Sequence, residues 1–340
     1  MRSYSESSGI QNSLLSSNRF TNTVLQVNNV KPISEYVPLV GMAGFIVIVQ
    51  VLALAMASPM EEEGMQAFEN PSSVWNPVYY IILILLFTAF ILFVIKTNKK
   101  YILHAILLFA VAATMYYVFI TFIGIIPSLL LTAALTTLLY KFPEWYVVDV
   151  TGLLVGAGAS AIIGISLAII PTLILLIILT IYDIISVYKT KHMITLAEGV
   201  MELHAPILFV VPKRRDYSFM EQDFAAEDGG ERGAYFMGLG DAVMPTILVV
   251  SANIFSPAGC MVLQLPLLGE VALPAVLAAI GTLIGYVVLM IVVMGGKPQA
   301  GLPFLNTGAI IGFVVGCVAG GIPVIPAALA ITNTVLNTVL

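Results

Sequence analysis

Two aspartates stand inside apolar stretches: Asp183, in Tyr182-Asp183, and Asp241, in Gly238-Leu239-Gly240-Asp241, 58 residues further on. At the centre of a membrane helix one aspartate costs about 2.5 to 3.5 kcal/mol, so keeping two costs on the order of 5 to 7 kcal/mol. Two carboxyl groups a few ångströms apart are not both ionised cheaply, so such a pair holds one proton between them. One member can then take a proton from water while the other gives one to a peptide carbonyl, which is general acid and base chemistry on an amide. Because the pair titrates as a unit, acid and base are not assigned to individual residues. Intramembrane carboxylates serve a proton or cation pathway equally well, and a proton- or cation-coupled transporter is the alternative on these two residues alone.

The neighbours of Asp241 add detail. Gly238 and Gly240 remove side chains just before it, which lets another backbone approach the carboxylate. Pro245, four residues on, has no N–H, so the Asp241 carbonyl loses its helical partner and a bend is expected there. Tyr182 adjoins Asp183, but successive residues on a helix point in different directions, so pocket and packing roles are both open.

These residues need a scaffold, and composition says which kind. Of 340 residues 59% are hydrophobic and 10% charged, with a mean hydropathy of +1.02, whereas charged residues make up about 25% of an ordinary soluble domain. A polytopic membrane protein follows, its partner the lipid bilayer. The net charge of −5 belongs to loops and points to no nucleic acid. Cys260 and Cys317 have no metal-type spacing and read as small buried hydrophobes.

Nine apolar segments, at 36–58, 76–95, 101–122, 124–140, 146–166, 168–189, 234–255, 271–294 and 303–323, are each long enough to cross ~30 Å of hydrocarbon. The expected fold is all-α, a bundle of nine transmembrane helices with a cytoplasmic N-terminus. Its parts are a flexible tail (1–34) without a cleaved signal, helices 1–6 (35–189), a cytoplasmic loop (190–233), helices 7–9 (234–323) and a C-terminal tail (324–340). Two joints, Gly124 to Pro127 and Ser166 to Pro171, are tight, and charge checks the count. With the N-terminus inside, all fourteen Lys and Arg fall on the cytoplasmic side, while Glu61, Glu62, Glu63, Glu69 and Glu270 fall opposite. Asp183 then lies six residues, about 9 Å, below the inner surface at Lys189, and Asp241 seven residues, about 10 Å, below the same surface at Ala234.

Within the long loop, Pro206 to Pro212 is apolar and reads as an interfacial segment or a short strand, while Asp216 to Glu231 is acidic and expected to be mobile. Gly152 and Gly156, Gly281 and Gly285, and Gly312, Gly316 and Gly320 repeat at helical spacing, which favours packing within one bundle over dimerisation. His104, His192 and His204 share no ligand spacing, and Asp149, after Trp145 and Tyr146, reads as an anchor at headgroup level. Lys213-Arg214-Arg215 is explained by topology.

Tyr182-Asp183 in a sixth span and Gly238-Leu239-Gly240-Asp241 in a seventh resemble the paired signatures of the presenilin and signal peptide peptidase family of intramembrane aspartyl proteases. That family also carries Pro-Ala-Leu at the start of the ninth span. The matching place here is Ala300-Gly301-Leu302, followed by Pro303, where only Leu302 agrees; Pro326-Ala327-Ala328-Leu329 has similar letters at the wrong end of the span. The resemblance implies peptide hydrolysis within membrane helices by Asp183 and Asp241, with Tyr182, Gly238, Leu239, Gly240 and the 300–303 turn in support. It also implies no metal, no organic cofactor and single-span membrane protein substrates. The charge distribution is presenilin-like, as expected for a microbial homologue acting on substrates of type I orientation. The expected site is a multi-pass position in the cell membrane of a microbe or an endomembrane of a eukaryote. Self-cleavage in the 190–233 loop, the oligomeric state and partner subunits stay open.

Overall fold

The long apolar segments fold as helices because hydrocarbon leaves a backbone no partner but itself. The computed structural model describes residues 37–97, 100–190, 208–213, 217–220, 233–257, 259–266, 268–293 and 299–322. Both tails and most of the 190–233 loop, with His192, His204 and the Pro326 motif, lie outside the described residues. Leu39–Leu340 forms one compact unit; of the 38 residues before it, Val37 and Pro38 alone are described.

Nine α-helices occur among the described residues: α1 (Val37–Glu62), α2 (Asn76–Lys96), α3 (Lys100–Ile123), α4 (Ile125–Lys141), α5 (Trp145–Ser166), α6 (Ile169–Ile185), α7 (Leu239–Ile254), α8 (Leu273–Val293) and α9 (Leu302–Ala319). Seven are long and apolar enough to cross a membrane; α4 and α7 are shorter apolar helices. Their outward faces are apolar, as at Leu86 of α2, Phe109 of α3, Leu130 of α4 and Ile284 of α8, all exposed. The chain is thus a mostly helical, polytopic membrane protein.

Both tight joints are real breaks. Gly124 separates α3 from α4 with φ 77°, a left-handed conformation that glycine adopts without a Cβ clash. Leu167 and Ala168 are extended between α5 and α6. Such a break leaves backbone groups to satisfy: the Leu167 carbonyl accepts the Ser251 hydroxyl at 2.7 Å and the Thr172 hydroxyl at 3.1 Å, and the Ala168 N–H donates to the Pro71 carbonyl at 3.0 Å.

The all-α expectation needs correcting at two small antiparallel sheets. In the first, β1 (Leu208–Pro212) pairs with β2 (Ala234–Gly238); in the second, β3 (Val262–Leu265) pairs with β4 (Gly269–Ala272) between α7 and α8. The apolar stretch ending at Pro212 therefore contains a strand, which its β-branched and aromatic residues favour. The seventh apolar segment likewise begins as strand β2, and its helix starts at Leu239. Phe209 is wholly buried and stacks on Phe45 of α1 at 4.8 Å between ring centres. In the stretch expected to be mobile, Phe219 is buried beside Val210 and Ala234.

The glycine repeats pack helices of this one chain. A Cβ on Gly281 would stand 2.1 Å from the Gly308 carbonyl oxygen, and one on Gly312 2.0 Å from that of Leu277, so α8 and α9 meet backbone to backbone. Gly156 of α5 leaves room for Leu239 and Val243 at the start of α7. Replacing Gly281 by Val should force α8 and α9 apart and destabilise the fold by about 1 to 3 kcal/mol, the usual cost of overpacking. Thermal unfolding in detergent measures this, and an unchanged midpoint would show that the glycine contact is dispensable.

Candidate active site

Asp183 lies two residues before the end of α6, where the α-helix gives way to a π-helical turn, Ser186–Thr190. Its side chain is buried, and the Ser186 hydroxyl donates to its carbonyl at 3.1 Å. Wider turns of this kind are frequent at functional sites. Asp241 is half-buried in the first turn of α7, not seven residues along a helix. A strand rises about 3.3 Å per residue against 1.5 Å for a helix, so counting from Ala234 underestimates the distance to Asp241.

What joins the two acids is the turn before α9. The Leu302 N–H donates to Asp183 Oδ2 at 3.2 Å. Next to it, a Cβ on Gly301 would stand 2.9 Å from Asp241 Oδ1 and 3.0 Å from Oδ2. With consecutive residues against both carboxyl groups, standard backbone dimensions put their nearest oxygens within about 9 Å of each other. Room for Asp241 explains the glycine: Gly301 has a right-handed backbone that any residue could adopt, but a side chain there would meet the carboxyl group. The departure from the family's alanine thus has a steric reason in this chain.

Other expected site residues are distributed around this centre. Gly240 faces open space, while a Cβ on Gly238 would lie 3.4 Å from Asp241 Oδ2. Leu239 is turned to the glycine face of α5 and packs with Phe209 and Met237, so it seats α7 instead of lining the site. Ala300 is buried, Leu302 packs beside Leu175, Leu179 and Met244, and Pro303 occupies the first turn of α9, where its missing N–H is harmless. Tyr182 is half-buried. α7 continues as helix through the buried Pro245, so the proline interrupts no element. His104 is half-buried, its ring 5.8 Å from that of Tyr140. No cluster of three His, Cys, Asp or Glu suited to a metal occurs among the described residues.

Three polar contacts were not anticipated. Asn306, wholly buried on α9, donates to Thr180 Oγ1 at 3.1 Å and to the Leu176 carbonyl at 3.4 Å, tying α9 to α6 one turn from Asp183. The Tyr188 hydroxyl donates to Gln299, linking the end of α6 to the approach to Ala300. Asp149 is no headgroup anchor: it is 3% exposed, and its Oδ1 accepts the Val210 N–H at 2.8 Å. An asparagine among the apolar residues of a ninth span was the one advance sign of the first contact.

Gly301→Ala should press a methyl group against Asp241 and shift the turn by a few tenths of an ångström. On the expectation that the two acids do the chemistry, peptide hydrolysis should then fall about tenfold or more, because misplacement of reacting groups is costly. Initial rates on a single-span substrate check this, and a wild-type rate would mean that the turn relaxes freely.

With this geometry in hand, comparison with known proteins is informative. The family model described as signal-peptide peptidase, presenilin aspartyl protease matches residues 43–322. Two solved structures, both of a presenilin family intramembrane aspartate protease, are similar. The one in space group C222 is 37% identical with a TM-score of 0.61, over 83% of this chain and 100% of that one. The one in space group P2 is 35% identical with a TM-score of 0.60, over 84% and 99%. Comparison with curated protein sequences returned no match. The match of the family model over most of the length, and the identity to solved members, show that this chain belongs to the signal-peptide peptidase and presenilin aspartyl protease family.

Proposed function

We propose that the chain is an intramembrane aspartyl endopeptidase of nine spans with a cytoplasmic N-terminus, in which Asp183 and Asp241 form the catalytic dyad. The observation that carries this is the placing of adjacent residues, Gly301 and Leu302, against both carboxyl groups. Charge supports the orientation, since all fourteen basic residues fall on one side of a nine-span arrangement. α4 and α7 complete the count despite their length, the latter preceded by the five extended residues of β2.

In this mechanism the ionised carboxylate takes a proton from water as the water oxygen bonds to the scissile carbonyl carbon. The other carboxyl group gives its proton to the carbonyl oxygen. Collapse of the tetrahedral adduct breaks the C–N bond: the proton taken from water goes to the leaving nitrogen, and one hydroxyl of the adduct returns its proton to the carboxylate that had protonated the carbonyl oxygen, which restores the one-proton pair. The open space at Gly240 is where a substrate backbone approaches Asp241. A helical substrate must first release its peptide groups, at several kcal/mol per group in lipid, and the Gly238 to Gly240 and Ala300 to Pro303 backbones are the partners that receive them.

Asp183→Asn and Asp241→Asn should each lower cleavage of a single-span substrate on the order of a hundredfold or more while leaving the fold intact. A normal rate in either variant would end the dyad assignment; block of ion flux in liposomes, with no peptide cleavage by the wild type, would favour a transporter. Because Asp183 lies about 9 Å from the inner surface, mass spectrometry should place first cuts in the cytoplasmic half of the substrate helix. Helix breakers at that level should speed the cut and Leu or Ala slow it. Cuts clustered at the outer face would contradict the orientation.

A further inference from the structure

Asp149 is a buried acid that the dyad chemistry does not use. It sits on α5 after Val147 and Val148, both buried, where an aliphatic side chain would satisfy packing. Its Oδ1 accepts the Val210 N–H at 2.8 Å, while Oδ2 has no hydrogen-bond partner among the described residues. A half-satisfied buried carboxyl group is costly, so its retention calls for a task. Among the described residues, the one hydrogen bond its side chain makes is with β1.

Sheet register shows what that contact does. Val210 faces Phe236 across the β1–β2 pair, and just beyond the strands the Lys213 N–H donates to the Gly233 carbonyl at 2.9 Å. Antiparallel pairs alternate between bonded and non-bonded, so 213, 211 and 209 point their N–H groups towards β2, and Val210 points its own away. Asp149 takes that outward N–H, and Pro212, the next outward position, has none. Of the outward positions of β1, the one at Val210 is thereby taken and the one at Pro212 offers no donor to an added strand.

Through the ladder, the same bond ties β2 to α5 as well. Gly238 ends the strand and caps α7, and Asp241 follows three residues later. A slip of one residue between the strands would move β2 by about 3.3 Å and turn its side chains to the opposite face. Glu144, which caps the start of α5, adds a second tether, accepting the Ser218 hydroxyl at 2.7 Å and the Phe219 N–H at 3.1 Å.

We infer that Asp149 is a positioning residue: by holding the outward N–H of Val210 it anchors the β1–β2 pair to α5 and takes from the β1 edge a donor that an added substrate strand would need, and so sets which peptide bond meets Asp241. Its effect on cleavage rests on the protease reading above; its hold on β1 does not.

The test uses the full chain in lipid nanodiscs, as wild type, Asp149→Asn and Asp149→Leu, with Asp149→Ser as substitute should the Leu variant fail to fold. Hydrogen exchange over 208–213 should rise about tenfold or more in the Leu variant, the effect expected when a protecting bond worth about 1.4 kcal/mol is lost. First-cut positions on one substrate should spread by one or more residues. Asn keeps an acceptor oxygen and should restore both. A merely structural role would lower the melting temperature and the rate but leave cut positions in place. Wild-type exchange and wild-type cut positions in the Leu variant overturn the inference. Failure of the wild type to cut at all would instead overturn the protease reading, and exchange alone would then decide the role of Asp149.

Discussion

A carboxyl group surrounded by hydrocarbon persists only where protein groups replace the water it has lost. For Asp183 and Asp241 that replacement comes from the turn ahead of α9. The Leu302 N–H bonds one acid, and the bare Cα of Gly301 lets the other come close. The turn in turn depends on α9, which glycines at 281, 285, 308 and 312 bring into backbone contact with α8. Asn306 ties the same helix to α6 beside Asp183. Close helix packing is thus the means by which two costly acids are brought to one place.

On the opposite side, α5 performs the corresponding service for Asp241. Its glycines accept Phe209 of β1 and Leu239 of α7, and Ser160 donates to the Val243 carbonyl at 3.4 Å. Asp149 on it and Glu144 at its cap hold backbone N–H groups of the excursion between α6 and α7. α7 is short because five residues that would have extended it are spent as strand β2. That exchange brings a sheet edge and a helix start together next to the carboxyl group.

Local signals in the sequence were enough to find the helices and the acids. Long apolar runs leave no alternative to helix in a membrane, and Gly124 and Pro171 marked joints that length alone would have blurred. Two carboxylates in such runs advertised themselves by their cost. The Gly-Leu-Gly-Asp and Tyr-Asp motifs then pointed to the family to which the chain belongs.

Tertiary structure decided the rest, because the deciding partners are far apart in sequence. Whether Ala234 to Gly238 is helix or strand depended on pairing with β1, whose Leu208 faces Gly238 from 30 residues earlier. Whether Asp149 faces headgroups or the interior depended on β1 folding onto α5. The glycine at 301, a departure from the family pattern on paper, acquires its reason only when Asp241, 60 residues earlier, is packed against it. Hydrophobic pattern and helix-breaking residues act within a few turns and can be read along the chain; strand register, acid–amide pairing and backbone clearance are properties of contacts, and exist only once the helices are packed.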